Sequence, residues 1–541
     1  MKPNVSVLDC TLREAPIENL MWGDLSIHKA IDGLEKSGVQ IIEIGFLKNQ
    51  SHILGSSSFQ YVEEIKQYLT PKKNDVLYTA LVDYGRYDIE NLSVNDGQSI
   101  DAIRLCFKHG EQYDAIHYAK EIIKKGYKVC IQHVDTLAYS ENEIIRIVEA
   151  VNELKPFCYS IVDTFGAMYQ KDMLKLAKVV DTKLDKSVKL GFHGHNNLML
   201  ADSNVQRFIE EFAYDREVIV DASLYGCGRG AGNAHTELVC QFMNCNYDTQ
   251  YDINELLDLI DVVIAAAQEK TSWGYSIPYF IAGMHNAHSY NVNHLLKRHN
   301  IKSKDLRGII EKLDNEQKKA YDYALLEKIY VEYFNNPVND DVAINNLKKE
   351  FENKRVLIIA PGKSIVEKRE TIVNYIQTNT PIVIGVNNLI EGFDLNYIFY
   401  SGPIRYQNLS YQKYQGAGSP KIIVTSNIKT EASNNEIVID YYSLLRFGCV
   451  NIDSSAILLL RLLIKCEVRD VTVAGMDGYS LSGQSFYSKE LETNLDDADK
   501  IDHTNDNLKM IKDIKRECPE FNMHFITESI YSKALEEGKN V

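Results

Sequence analysis

Val188-Lys189-Leu190-Gly191-Phe192-His193-Gly194-His195-Asn196-Asn197 is the stretch whose reading decides the fold. It begins as a strand, with Val188, Leu190 and Phe192 alternating against other residues, and runs into His193-Gly194-His195. Residues two apart on a strand point to the same side. Two imidazoles are therefore presented together, which suits two corners of a divalent metal site. A second stretch, Leu8-Asp9-Cys10-Thr11-Leu12-Arg13-Glu14, follows a short strand near the N-terminus and sets an arginine beside a carboxylate. Two kinds of metal ligand and a fixed cation are what enolate chemistry requires.

Working outward, apolar strand patterns recur at Val5–Leu8, Val39–Phe46, Asp75–Val82, Ser99–Phe107, Lys128–Val134, Tyr159–Asp163, Val188–His193 and Val218–Ser223. Val39–Phe46 is apolar on both faces, as a strand buried on both sides should be. Amphipathic helical patterns lie between them, including Ser26–Ser37, Glu111–Lys125, Glu141–Glu153 and Lys171–Val180. About eight β-α units in roughly 225 residues predict a (β/α)8 barrel, whose active site lies at the C-terminal ends of its strands. The polar residues there include Arg13, Glu14, Glu43, Arg104, His133, Asp163, Thr164, His193 and His195.

The chain of 541 residues is too long for one core. Hydrophobic residues make up 45% and charged residues 25%, values ordinary for a globular protein. A formal net charge of −16 argues against nucleic acid as a partner. No run approaches a membrane span, and the N-terminus enters a strand without a signal-peptide core, so a cytoplasmic location is expected. Ten cysteines are scattered without C-x-x-C pairs, which fits reduced thiols.

Three motifs together resemble a family: Asp9-Cys10-Thr11-Leu12-Arg13-Glu14, His193-Gly194-His195-Asn196, and Gly226-Cys227-Gly228-Arg229-Gly230-Ala231-Gly232-Asn233. They look like the DRE-TIM metallolyases, closest to the 4-hydroxy-2-oxovalerate aldolase branch and to aldolase-like proteins of bacterial surface-polysaccharide loci. The resemblance covers about residues 5 to 310. It implies Glu14, His193, His195 and Asn233 as ligands of a divalent ion, manganese foremost, with magnesium, cobalt or zinc as alternatives. It implies Arg13 as the group that stabilises an enolate oxygen and Thr164 as a contact of the 2-oxo acid carboxylate. Glu43 joins them as a catalytic candidate at the end of the second strand. The pattern departs from the family at Glu14, where most members carry aspartate and homocitrate synthases glutamate, at Ala15, and at Ile17, where the aldolases carry a histidine base. His133, Tyr275 and Tyr279 are the candidate replacements. The tyrosines lie in Trp273-Gly274-Tyr275-Ser276-Ile277-Pro278-Tyr279, which resembles the tyrosine-bearing segment after the aldolase barrel.

The expected organisation is a barrel over residues 1–248, a helical extension and linker over 249–353, and a Rossmann-like α/β domain over 354–541. In that last domain Arg355–Ala360 turns through Pro361-Gly362-Lys363-Ser364 into a helix. Leu357 stands where a Walker A glycine would be, so this is not that loop. Further strands are expected at Pro381–Val386, Tyr397–Ser401, Lys421–Thr425, Glu436–Asp440 and Asp470–Ala474. The C-terminal third faintly resembles sialyltransferase-like nucleotide-binding domains, which implies a nucleotide or nucleotide-sugar held by Gly362, Lys363, Ser364, Asn387, Ser401 and Gly402, with His503 as a candidate base.

The expected function is a metal-dependent aldolase or lyase acting on a small 2-oxo acid in surface-polysaccharide precursor synthesis, as a homo-oligomer. The alternatives are an acyl-CoA-dependent condensing synthase and a barrel without catalysis that serves as a scaffold.

Overall fold

A computed structural model describes residues 3–14, 21–269, 271–297, 301–390, 392–408, 419–430, 436–449, 451–492 and 495–532. Ala15 and Ile17 lie outside them. The chain parts into two compact units, residues 1–292 with 313–321, and residues 293–312 with 322–541. The helices between 253 and 351 thus divide between the units rather than forming a body of their own. Among the described residues, no helix is long and apolar enough to cross a membrane.

The first unit is a closed parallel barrel. Its strands are β1 (Val5–Asp9), β2 (Ile41–Leu47), β3 (Leu77–Asp83), β4 (Ala102–Phe107), β5 (Lys128–His133), β6 (Cys158–Asp163), β7 (Lys189–Gly194) and β8 (Val218–Ala222). Each pairs with the next, and β1 pairs with both β8 and β2, so no edge remains. The expected strands and the crossover helices Asp24–Lys36, Gln112–Lys124, Glu141–Leu154 and Gln170–Lys183 are all present. Side chains alternate along each strand. One set, including Val7, Ile42, Ile131, Tyr159 and Phe192, joins the helices in the main core. The other set points inward, where Leu8, Cys10, Ile41, Cys130, Cys158 and Ile219 form a small apolar plug. The inward positions nearer the strand ends are polar, and that is where the site begins.

The second unit holds a seven-stranded parallel sheet: β9 (Val356–Ile359), β10 (Ile382–Val386), β11 (Tyr397–Tyr400), β12 (Lys421–Thr425), β13 (Ile437–Ile439), β14 (Asp470–Ala474) and β15 (Asn522–Phe525). Its order is β13-β12-β11-β10-β9-β14-β15. The order reverses beside β9, and a crevice at such a switch point is where open α/β sheets bind ligands.

Candidate active site

The strand pairing carries His193 to the inward face of β7, with His195 just beyond the strand end. Each imidazole is oriented by a different acceptor. His193 Nδ1 lies 3.0 Å from Asp221 Oδ2, and His195 Nδ1 lies 2.9 Å from the Asp163 carbonyl oxygen. Neither oxygen can donate as it stands, so both rings carry hydrogen on Nδ1 and leave a lone pair on Nε2. The rings are 4.8 Å apart and nearly perpendicular. Burial first, then the charges of neighbouring Arg13 for His193 and of His193 itself for His195, hold both imidazoles well below their ordinary pKa. Neutral rings with a bare Nε2 are the ligand form of histidine.

The loop after β8 is stitched onto this strand end. Asn196 N–H donates to the Gly232 carbonyl at 2.8 Å, Ala234 N–H to the Gly194 carbonyl at 3.2 Å, and Asn233 pairs with His195 as an isolated bridge. Glycine is required for this closeness. A Cβ on Gly232, where φ is +84°, would lie 1.9 Å from the Gly226 carbonyl oxygen, and one on Gly228 would lie 2.5 Å from the Asn233 amide nitrogen. Asn233 Nδ2 donates to the Cys227 carbonyl at 2.8 Å and to Glu14 Oε1 at 3.1 Å. Asn233 Oδ1 and Glu14 Oε2 are buried without a hydrogen-bond partner.

Behind these groups runs a buried ionic chain. Glu14 Oε1 meets Arg13 Nη1 at 2.5 Å, and Arg13 Nε donates to Glu43 Oε2 at 3.0 Å. Arg104, 1% exposed, donates to the same Glu43 oxygen at 2.6 Å, to Gln132 Oε1 at 2.9 Å and to Asp221 Oδ2. Asp221 in turn holds His193. Its carboxyl is pushed up by burial and pulled back by Arg104 and Arg13.

The fit to a divalent ion rests on these donors. Two bare imidazole nitrogens, one carboxylate oxygen and one amide oxygen, the last two buried and unpartnered, make an N/O set of the kind that holds such ions. Among the described residues no three His, Cys, Asp or Glu side chains stand together at ligand spacing, and Glu14 is paired with Arg13 and Asn233. The donor chemistry fits the ion.

The remaining expected residues divide. Glu43 lies in the chain just described. Thr164 stands at the end of β6, where its Oγ1 accepts from Asp135 N–H at 2.7 Å. His133 faces the other way. It is fully buried, its Nδ1 lies 2.5 Å from the Tyr159 hydroxyl, and Phe107 and Tyr139 pack on its ring in the helical layer. Its strand neighbours Cys130 and Gln132 take the inward positions, so His133 is out of reach of the mouth. Burial lowers its pKa to about 3. The segment bearing the tyrosines is tied to the loop after β8 by Gly274 N–H to the Gly230 carbonyl at 3.4 Å and by Trp273 Nε1 to the Tyr225 carbonyl at 2.9 Å. Tyr275 is 57% exposed, whereas Tyr279 is partly buried on the helix Ile277–Met284. Sequence reasoning did not single out Asp221 or His288. A charged residue inside the apolar strand Val-Ile-Val-Asp-Ala was the available signal for the first.

In the second unit, Asn387 Nδ2 donates to Ser455 Oγ at 2.6 Å, and Ser401 Oγ lies 2.6 Å from the same oxygen. Both therefore converge at the start of the helix Ser455–Lys465, with Gly402 next in the chain. Ser364 is engaged elsewhere: its N–H and hydroxyl both donate to Asp477, at 2.8 and 2.5 Å. A carboxylate thus occupies the turn formed by Gly362, Lys363 and Ser364. A cavity of about 150 Å³ opens at the switch point, lined by Gly362, Asn387, Arg405, Ser455, Asp477 and Asn507 among others. His503 is buried nearby, its ring 5.8 Å from that of Tyr479, and burial lowers its pKa.

Comparison with known proteins places an HMGL-like domain at residues 108–263, a span that includes His193, His195 and the glycine-rich loop. Oxaloacetate decarboxylase of Mycobacterium tuberculosis is 26% identical over 297 residues, covering 53% of this chain and 84% of the relative. 4-Hydroxy-2-oxovalerate aldolase 1 of Dechloromonas aromatica is 26% identical over 276 residues, covering 48% and 76%. The structure of HMG-CoA lyase from Bacillus subtilis aligns with a TM-score of 0.40 at 17% identity, covering 49% of this chain and 94% of that one.

Proposed function

We propose that the barrel is a metal-dependent lyase of the aldolase kind, which breaks or forms a carbon–carbon bond beside the carbonyl of a 2-oxo acid. The observation that carries this is the convergence of two neutral imidazoles with bare Nε2 atoms, two orphaned oxygens and the buried Arg13 at one strand-end face. The HMGL-like domain and the aldolase and decarboxylase relatives support the same class.

Glu14, His193, His195 and Asn233 would hold the ion, with manganese the leading candidate. When bound, it would supply Lewis acidity toward the ketone and carboxylate oxygens of the substrate. Arg13 offers a guanidinium that does not deprotonate, held by Glu43 so that its charge stays fixed near a developing enolate oxygen. Thr164, whose Oγ1 accepts from Asp135 N–H and keeps a hydrogen to donate, is the residue we assign to the substrate carboxylate. In cleavage a base takes the proton of the 4-hydroxyl, the C3–C4 bond breaks, and its electron pair stays on the 2-oxo half as an enolate while the other half leaves as an aldehyde. With His133 facing the helices, Tyr275 and Tyr279 are the candidates left for that base.

The test is deuterium exchange at C3 of pyruvate by the metal-loaded protein, followed by pyruvate release from 4-hydroxy-2-oxo acids. A fully metallated protein that catalyses neither is the scaffold of the alternative reading, not a lyase.

A second reading concerns the other unit. Asn387, Ser401 and Ser455 meet beside the switch-point cavity, which favours a nucleotide or nucleotide-sugar as ligand. At about 150 Å³ the cavity is small against the roughly 300–1,000 Å³ of ordinary cofactor sites, so it would enclose one part of such a ligand. This ligand is the observation that would connect the chain to surface-polysaccharide precursor synthesis. A ligand present at about 100 times its dissociation constant should stabilise its unit by ~2.7 kcal/mol. If no CMP, CDP, UDP or GDP compound shifts the melting of the full chain, the reading fails.

A further inference from the structure

Arg229 lies in the middle of the loop after β8. That loop is fixed to the metal-ligand strand by the hydrogen bonds at Asn196 and Ala234, and by Ala231 N–H to Asn197 Oδ1 at 2.9 Å. Its guanidinium is close enough that its charge disfavours protonation of His193, His195 and His288. Arg13 and Arg104 are both matched by buried carboxylates, but among the described residues no carboxylate pairs with Arg229. Instead it stands 5.9 Å over the ring of Tyr290, and its Nη1 lies 3.3 Å from His288 Nε2.

The His288 contacts do not balance. Tyr290 N–H points at Nδ1 at 3.1 Å, and Arg229 points a second donor at Nε2. A neutral imidazole has one lone pair and one hydrogen, so one of the two donors is always left facing a hydrogen. His288 is 7% exposed, and burial with the charge of Arg229 holds it neutral, with a pKa of about 2. The backbone N–H of Tyr290 cannot turn away, so the lone pair belongs on Nδ1. Nε2–H and Arg229 Nη1 then face each other as two donors without an acceptor. An anionic oxygen bridging them would satisfy both. Tyr290, Tyr321 and Phe165 wall the group, with ring centroids 4.6, 4.9 and 6.1 Å from His288.

We propose that Arg229 and His288 form the subsite for an anionic group, carboxylate or phosphate, carried by the aldehyde half of the substrate. This rests on the lyase reading above, in which the carboxylate of the 2-oxo half is already served by Thr164. A planar guanidinium reads both anions through paired N–H donors.

The experiment uses the metal-loaded full chain with pyruvate and matched aldehydes: butanal against succinic semialdehyde, and glycolaldehyde against glycolaldehyde phosphate. Deuterium exchange into pyruvate is run beside them. The wild type is expected to prefer one charged aldehyde of its pair by roughly ten- to a hundredfold in kcat/KM, the worth of a charge-assisted hydrogen bond. The pair that shows it identifies carboxylate or phosphate. Arg229→Gln should collapse that preference, and Arg229→Lys should keep part of it. A wild type that exchanges pyruvate protons but treats charged and neutral aldehydes alike overturns the subsite alone, and this arm needs no variant to fold. A preference that survives in Arg229→Gln overturns it as well. Absence of exchange in the wild type removes the lyase reading and the subsite together.

Discussion

Replacing Asp221 by alanine tests the link between the buried ionic chain and the histidine pair. Three carboxylates, Glu14, Glu43 and Asp221, face two guanidinium groups, Arg13 and Arg104, so the chain carries one net negative charge. Alanine removes that charge where it holds His193. Arg104 and His193 Nδ1 share one oxygen of Asp221, Oδ2, and alanine leaves both without it. His193 then loses the acceptor that keeps its lone pair on Nε2. Loss of such an orienting partner typically lowers metal affinity ~10–100-fold. Removing one member of a buried ion pair costs roughly 3–5 kcal/mol, and the low end applies because Arg104 keeps Glu43 and Gln132. Calorimetric titration of metal-free protein with Mn²⁺ reads the first quantity, and urea unfolding of the same samples reads the second. A variant that binds the ion within roughly twofold of wild type while losing stability would show that Asp221 is only structural and that His193 needs no orienting partner.

Arg13→Lys should fold and bind metal but lose on the order of 10²–10³ in kcat, since a point charge does not reproduce the fork held by Glu43; a near-normal kcat would make Arg13 structural. His193→Ala/His195→Ala should lose the divalent ion in elemental analysis, and unchanged metal content would remove the assignment. His133 gives a pH prediction with a definite sign. Its folded pKa of about 3 lies below the unfolded value of 6.5, so the unfolded chain takes the proton first as pH falls. Stability is therefore fully present above pH 6.5 and is lost toward pH 3 at about 1.4 kcal/mol per unit from this group. His133→Phe should flatten the urea-midpoint profile of the barrel between those limits by one proton's worth, and an unchanged slope would contradict the burial argument.

The barrel was legible because its strands are buried on both faces and read as largely apolar runs, and because helix patterns separate them at regular spacing. The histidine pair was legible for a related reason, since period-two geometry places His193 and His195 together whatever the rest of the chain does. The same period could have turned His133 outward, because it shares parity with the helix-facing Val129 and Ile131. What local pattern cannot supply is the partner brought from afar. Asp221 reaches His193 across 28 positions, His288 reaches Arg229 across 59, and Asn233 reaches Glu14 across 219. In the second unit the edge strand Asn522–Phe525 escaped because three of its four residues are not buried, so it lacks the apolar run that betrayed the others.

The two sheets also differ in how they treat the N-terminal helix turn after their first strand. In the barrel, Asp9 Oδ1 accepts from Thr11 N–H at 2.9 Å and Oδ2 from the Thr236 hydroxyl at 2.6 Å, so this carboxylate fixes the turn that presents Arg13 and Glu14. Burial raises its pKa to about 6. In the second sheet, Asp477 fills the equivalent turn at Ser364 from across the switch point. A phosphate placed there would meet a carboxylate rather than free N–H groups, so the glycine-containing turn is closed by an internal anion. Any phosphate in that unit is better received by the other wall of the cavity, where Asn387 and Ser455 meet at the start of an eleven-residue helix, backed by Ser401. Asp477→Asn separates the two positions. If the phosphate binds at Ser455, the substitution should change nucleotide affinity little; if it binds at Ser364, removing the carboxylate should strengthen binding severalfold.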